Sequence, residues 1–491
     1  MHRSTIIVAL LAFASPLTLF GCGPADSGSS DSGSGDSSSG DLSQPPLTCS
    51  FPQPGASSAA QPIQVLDLGT KRVGDSVRFD VPAATASITI VEQIVSAPAS
   101  AVFTDLGTIP NSAVPLEVTD SNGAAVHDQC TPAADPAQAG LYYASLSAGT
   151  GTLTFPNSTA GLERVARSLP QGTWSFVVSD LAYVCSLVSN CATGGGSAAS
   201  RYDVKVILKP GSGTGDGIPS TGTLDVALNL TPSGLAPPLD AASAESDADL
   251  QHMVDSLGLL LARAGISLGV VSYVDVPAAT AARVATGVDV DDLTACGDLA
   301  QLLATGPSGP QVNVFLVPSL VSSGAGTSII GFDGTIPGPA TISQTLQAGV
   351  AVSAADLRAG ALNCRPGSLV LDCGGLSTGQ CCGADRTAYT VAHELGHFLG
   401  LYHTTERDGT VFDPLSSTPT CSCQSCARDP GMCADASPPP ASPHPMSVAE
   451  CQGSASCGGG DNLMFWQLAD ESAGLLLGEQ ARVVRANPAV H

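Results

Sequence analysis

The run HELGHFLGLYH, residues 393–403, decides how this 491-residue chain reads. His393 and His397 stand four apart, about 400° round a helix, so both imidazoles leave the same face. Glu394 follows the first of them directly, close enough to reach a water on whatever the rings hold. Gly400 can adopt positive φ, which other residues do only at a cost, and so can end the helix. The chain then turns, and His403 returns as a third imidazole. Three neutral histidines plus a position left for water make a catalytic zinc site; structural zinc sites close with a fourth protein ligand. Five fixed positions at about one in twenty each give roughly one chance match per ten thousand chains of this length.

The composition narrows what surrounds that run. Charged residues are 12% of the chain, about half the usual share of roughly 25%. The balance is 18 Lys+Arg against 43 Asp+Glu, a net charge of −25. Nucleic acid is disfavoured as a partner, because binding phosphate needs clustered basic residues. Apolar residues at 43% suffice for real cores, while 54 Gly and 36 Pro predict many turns. Sixteen cysteines suit an exported protein better than a cytosolic one.

The first residues read as an export address. His2 and Arg3 precede an apolar stretch, residues 5–20, broken by Pro16 and short for a membrane helix. It closes on Leu19-Phe20-Gly21-Cys22, which resembles the lipobox of bacterial lipoproteins. That resemblance implies cleavage after residue 21 and lipid on Cys22. Residues 22–48 form a Gly/Ser/Asp-rich disordered tether, with Asp26, Asp31, Asp36 and Asp41 recurring every five residues. The expected location is the bacterial cell envelope, lipid-anchored at the outer membrane or cell surface, or released outside.

Two folded regions follow. In residues 49–210, alternating runs at 76–81, 172–178 and 202–208 and a β-branched run at 86–95 predict an antiparallel β-sandwich. Its strand rhythm is similar to that of the β-sandwich modules found beside secreted bacterial proteases. Cys185 and Cys191 are placed to close a loop there. Residues 211–222 (GSGTGDGIPSTG) read as a linker. Residues 223–491 then take an α/β (α+β) rhythm: strands at 223–230, 266–276 and 311–317, and a helix over 247–263 with an apolar stripe at Leu250, Met253, Val254, Leu257 and Leu260. The expectation is a multidomain chain, sandwich first and metal domain second.

The run at 393–403 resembles HExxHxxGxxH, the signature of the metzincin metalloproteases, and is most similar to the pappalysin-like group. Thr404 after the third histidine, DGTVFDP at 408–414 and LGEQAR at 477–482 share that likeness. Met464, in Asp461-Asn462-Leu463-Met464-Phe465-Trp466, matches the methionine turn of the superfamily. Trp466 stands where some metzincins carry a zinc-binding tyrosine, so that role does not carry over. The likeness is strong over residues 388–491 and faint over 223–387. It implies a metzincin-type zinc endopeptidase acting on extracellular or envelope proteins. His393, His397 and His403 would hold Zn²⁺, and Glu394 would activate the attacking water as general base and then serve as acid. Met464 would shape the apolar floor. Substrate would lie extended along an edge strand near residues 328–338. A structural Ca²⁺ is a secondary expectation.

Ten cysteines fall between Cys364 and Cys457, flanking the histidine run. Cys421, Cys423, Cys426 and Cys433 could form a second zinc site, but in an exported chain disulfides are the expectation. The competing class is a catalytically inert, adhesin-like surface lipoprotein. Glu394 argues against it, since an inert site has no need of a base.

Overall fold

The computed structural model describes residues 6–7, 62–96, 115, 117–128, 135–141, 149–166, 169–180, 200–212, 217–232, 234–292, 295–322, 328–359, 383–407, 409, 411–422, 446–452, 458–467, 476 and 478–491. Cys22, the 22–48 tether, and Cys185, Cys191, Cys423, Cys426 and Cys433 lie outside them. The architecture is mixed α/β with several antiparallel strand pairings. Among the described residues no helix is long and apolar enough to cross a membrane.

The N-terminal part holds two four-stranded antiparallel sheets. One runs in the order Gln64–Arg72, Arg201–Pro210, Thr85–Ser96, Thr150–Phe155; the other runs Ser76–Val81, Gly172–Val177, Glu117–Thr119, Ala125–Asp128. Ser76–Val81 alternates exposed and buried, the period-two pattern of a half-buried strand. Ile88, Ile90 and Ile94 from the first sheet share a core with Val77, Phe79 and Phe176 from the second. Phe155 and Trp174 meet across it with ring centroids 6.1 Å apart. Side chains of this size contribute about 1.5–3 kcal/mol each when fully buried. Two strands are not marked by the sequence reading. Thr150–Phe155 (TGTLTF) alternates threonine with Gly, Leu and Phe over only six residues, all buried, and Gln64–Arg72 mixes polar and apolar residues.

The second part is built on a five-stranded sheet in the order Ile266–Asp275, Gly222–Leu230, Val312–Val317, Val350–Ser353, Gly331–Asp333. The first four strands are parallel, and Gly331–Asp333 joins antiparallel at the edge. The helix Ala248–Ala262 starts at Asp247, whose Oδ1 accepts the Leu250 amide at 3.0 Å. It packs against the helix Gly383–Phe398, which carries the first two histidines. Asp385, in that helix's first turn, accepts the Ser256 hydroxyl at 2.5 Å and meets His252 Nε2 at 2.9 Å. These buried bonds fix the helix along its neighbour.

The two parts are joined by polar contacts around the C-terminal helix Gly478–Ala486. Lys209, from the first sheet, donates its ammonium to the carbonyls of Arg485, Asn487 (3.1 Å) and Val490. Burial, with the Arg485 charge beside it, pulls the Lys209 pKa down to about 7. The Ser87 hydroxyl donates to the Ala486 carbonyl. Val91 and Ile207, on the outer face of the same sheet, pack with Ile342 from the second part. At a third contact, the Thr159 hydroxyl donates to Glu479 at 3.0 Å and accepts the Ser416 amide at 2.7 Å.

Asp413 sits beside this third contact and accepts the Thr418 hydroxyl at 2.6 Å. Burial drives its pKa from 3.8 to about 8; the Thr418 and Leu415 hydrogen bonds oppose the rise and the Glu479 charge adds to it. The folded chain therefore keeps a proton that the unfolded chain loses above pH 3.8. The native state binds more protons across pH 4–8, so this group's contribution is present below about pH 4 and lost as pH rises to about 8. Urea midpoints should fall between pH 5 and pH 8, and Asp413→Asn should flatten that fall. An unchanged slope in the variant would show that Asp413 is not its source.

Candidate metal centre

The helix Gly383–Phe398 is buried along nearly its whole length. Its buried hydroxyls are satisfied inside the helix: Thr387 donates to the Gly383 carbonyl at 2.8 Å and Thr390 to the Arg386 carbonyl at 3.0 Å. The helix ends at Phe398, and Gly400 takes φ +108°. That left-handed turn brings His403 back to the two helical histidines, as the glycine's position predicts.

Each histidine is oriented through its Nδ1. His393 donates to the Leu463 carbonyl at 2.6 Å, His397 to the Leu401 carbonyl at 2.7 Å, and His403 to the Glu406 carboxylate at 3.0 Å. With Nδ1 committed as donor, a neutral ring carries its lone pair on Nε2. Those lone pairs face one another: His397 Nε2 lies 3.1 Å from His393 Nε2 and 3.2 Å from His403 Nε2. Acceptors cannot bond to one another, so the arrangement calls for a cation between them. Burial, with His403 adding to it, holds the His393 pKa down to about 3, and burial, with His393 and His403 adding to it, lowers that of His397. His393, His397 and His403 can therefore hold a metal ion.

Glu394 is fully buried, and neither of its carboxylate oxygens has a hydrogen-bond partner among the described residues. Burial pushes its pKa well above the usual carboxylate range. Its space comes from Gly331 on the edge strand: a Cβ there would lie 2.2 Å from Glu394 Oε1. Asp333, two residues along, projects from the same face of the strand. Burial raises Asp333 well above the carboxylate range, the Glu394 charge adds to the rise, and the Gly334 and Thr335 amides oppose it.

Met464 is fully buried beneath the helix, where a Cβ on Gly396 would meet its Sδ at 2.4 Å. Its turn is held by Asn462, whose Oδ1 accepts the Met464 amide at 2.8 Å. Asn462 and Gln480 exchange reciprocal amide bonds of 2.9 and 3.2 Å, and Tyr389 donates to the Asn462 carbonyl at 3.2 Å. The Met464 carbonyl accepts the Thr404 amide at 3.0 Å. One turn thus contacts the segments carrying the first and third histidines and the C-terminal helix. Trp466 donates its indole N–H to the Met446 carbonyl at 2.7 Å. A disulfide joins Cys421 to Cys451 between His403 and Met464.

Every candidate site residue read from the sequence, apart from Cys22, is therefore in this region. Glu406, Asn462, Gln480, Gly331 and Asp333 were not read as site residues. Gly331 and Asp333 lie in the 328–338 stretch, Asn462 in the methionine turn and Gln480 in the 477–482 run, but nothing local marks their individual roles; Glu406 stands three residues after His403. Compared with known proteins, the chain matches no family model and no curated protein sequence.

Proposed function

We propose that this chain is a zinc-dependent endopeptidase of metzincin type, hydrolysing peptide bonds of extracellular or envelope proteins. One observation carries the reading: three Nε2 atoms face one another, and the helix that supplies two of them also buries a carboxylate, Glu394, with no hydrogen-bond partner among the described residues. Native proteins satisfy buried polar groups, and exceptions concentrate where a ligand or a reaction supplies the partner. Nitrogens about 2.0–2.1 Å from a tetrahedral zinc lie roughly 3.3 Å apart, near the 3.1 and 3.2 Å spacings here. When bound, Zn²⁺ acidifies water and polarises a carbonyl.

The chain's own residues do the rest. His393, His397 and His403 hold the ion through Nε2. Glu394 takes a proton from the attacking water at a carboxylate oxygen and passes it to the leaving amine. The outer side of Gly331–Asp333 has no partner strand among the described residues, and an extended peptide can add there by main-chain hydrogen bonds. Met464 and Gly396 close the apolar floor. The same residues suit a protein or peptide substrate rather than nucleic acid, and the lipid on Cys22 remains part of the proposal.

The test is metal-dependent cleavage of a denatured protein substrate by the purified protein. Chelation should abolish cutting and Zn²⁺ should restore it, with one zinc per chain by elemental analysis. A fully zinc-loaded protein that cuts nothing under any activating condition overturns the reading in favour of the inert surface-binding alternative.

A further inference from the structure

We propose that Glu406 is a positioning residue of the metal centre, one that fixes His403 and sets how tightly the ion is held. The proposal rests on the metal reading above. The three histidines are not oriented alike: main-chain carbonyls hold His393 and His397, but a side-chain carboxylate holds His403. A backbone carbonyl accepts a hydrogen bond with a partial charge. A carboxylate accepts it with a full one, locks the tautomer, and makes the opposite nitrogen a stronger donor to a metal.

The surroundings of Glu406 fix the backbone from which its carboxylate reaches His403. Its amide donates to the Val411 carbonyl at 2.8 Å and its own carbonyl accepts the Gly409 amide at 2.9 Å. Thr405 and Phe412 pair across the same turn. The Thr405 hydroxyl accepts the Cys421 amide at 3.0 Å, so the Cys421–Cys451 disulfide backs the turn. Arg407, the adjacent cation, lies 5.9 Å from the centre of the Trp466 ring. The Glu406 side chain is 18% exposed while that of His403 is 1% exposed, so the pair runs from the surface to the site.

The experiment measures Zn²⁺ affinity of the whole protein by chelator competition, and the visible spectrum of its Co²⁺ form, for wild type, Glu406→Gln and Glu406→Ala. Loss of such an outer partner lowers metal affinity by about 10–100-fold. Glu406→Gln, which keeps an acceptor but no charge, should fall at the lower end, and Glu406→Ala at the upper. The Co²⁺ bands should shift in both, while metal-free thermal midpoints stay near that of wild type. Affinities equal to wild type overturn the proposal alone, as does lost metal-free stability with affinity unchanged. A wild type that takes up neither Zn²⁺ nor Co²⁺ overturns the metal reading and this proposal with it.

Discussion

Glu394→Gln is expected to lower peptide hydrolysis by about 10²–10⁴-fold, the usual contribution of a positioned general base, while zinc content stays at one per chain. Glutamine keeps the shape but cannot accept the proton. It also removes a buried carboxylate, whose oxygens have no hydrogen-bond partner among the described residues. The variant should therefore be as stable as wild type or more so, a common consequence of neutralising a strained functional group. Gly331→Ala approaches the same group from the other side. Its added methyl would fall 2.2 Å from Glu394 Oε1 and 2.8 Å from its Cγ, so the side chain would have to turn away from the strand. Activity should drop with zinc retained, although no site residue has changed chemically. Steady-state hydrolysis alongside elemental analysis separates these outcomes. Substantial residual cleavage in Glu394→Gln would mean that the base lies elsewhere, with Asp333 the next group to change.

The second large effect concerns stability. Lys209→Met should leave the carbonyls of Arg485, Asn487 and Val490 without their shared donor. An orphaned buried acceptor costs about 1–3 kcal/mol. The relief of no longer burying an ammonium offsets part of this, so a net loss of about 2–4 kcal/mol in urea unfolding is expected. The loss should reach the metal centre as well. The helix that Lys209 holds carries Gln480, the partner of Asn462 in the Met464 turn. Weaker zinc binding should accompany lower stability. A change below about 0.5 kcal/mol, the range of ordinary surface substitutions, would show that the clasp is dispensable.

Some of this was legible in the sequence because it is local. The i, i+4 histidines, the helix-ending glycine and the returning third histidine occupy eleven consecutive residues, and the structure gives Gly400 the positive φ expected of it. Strands with clean alternation, such as Ser76–Val81, lie where the pattern puts them. The helix Ala248–Ala262 follows its apolar stripe and starts after an aspartate cap. What escaped depends on tertiary approach. Gly331 matters only because Glu394, 63 positions away, fills its missing side chain. Lys209 meets carbonyls more than 270 residues further along. The Asn462–Gln480 exchange links two runs that the sequence marks separately, with nothing local to pair them. No periodicity encodes such pairings.

The reach of these contacts bears on how the chain comes together in time. Thr223 exchanges backbone bonds with His491, while Leu224 bridges to Val490. The turn beneath the histidines is held in turn by the helix just before them. Loop closure over such separations slows folding, because entropy is lost before the contacts compensate for it. A partly folded chain can form its first sheets early. It cannot complete the histidine centre until residues near 490 have docked. The order in which the segments around the histidine centre assemble is thereby set by topology alone.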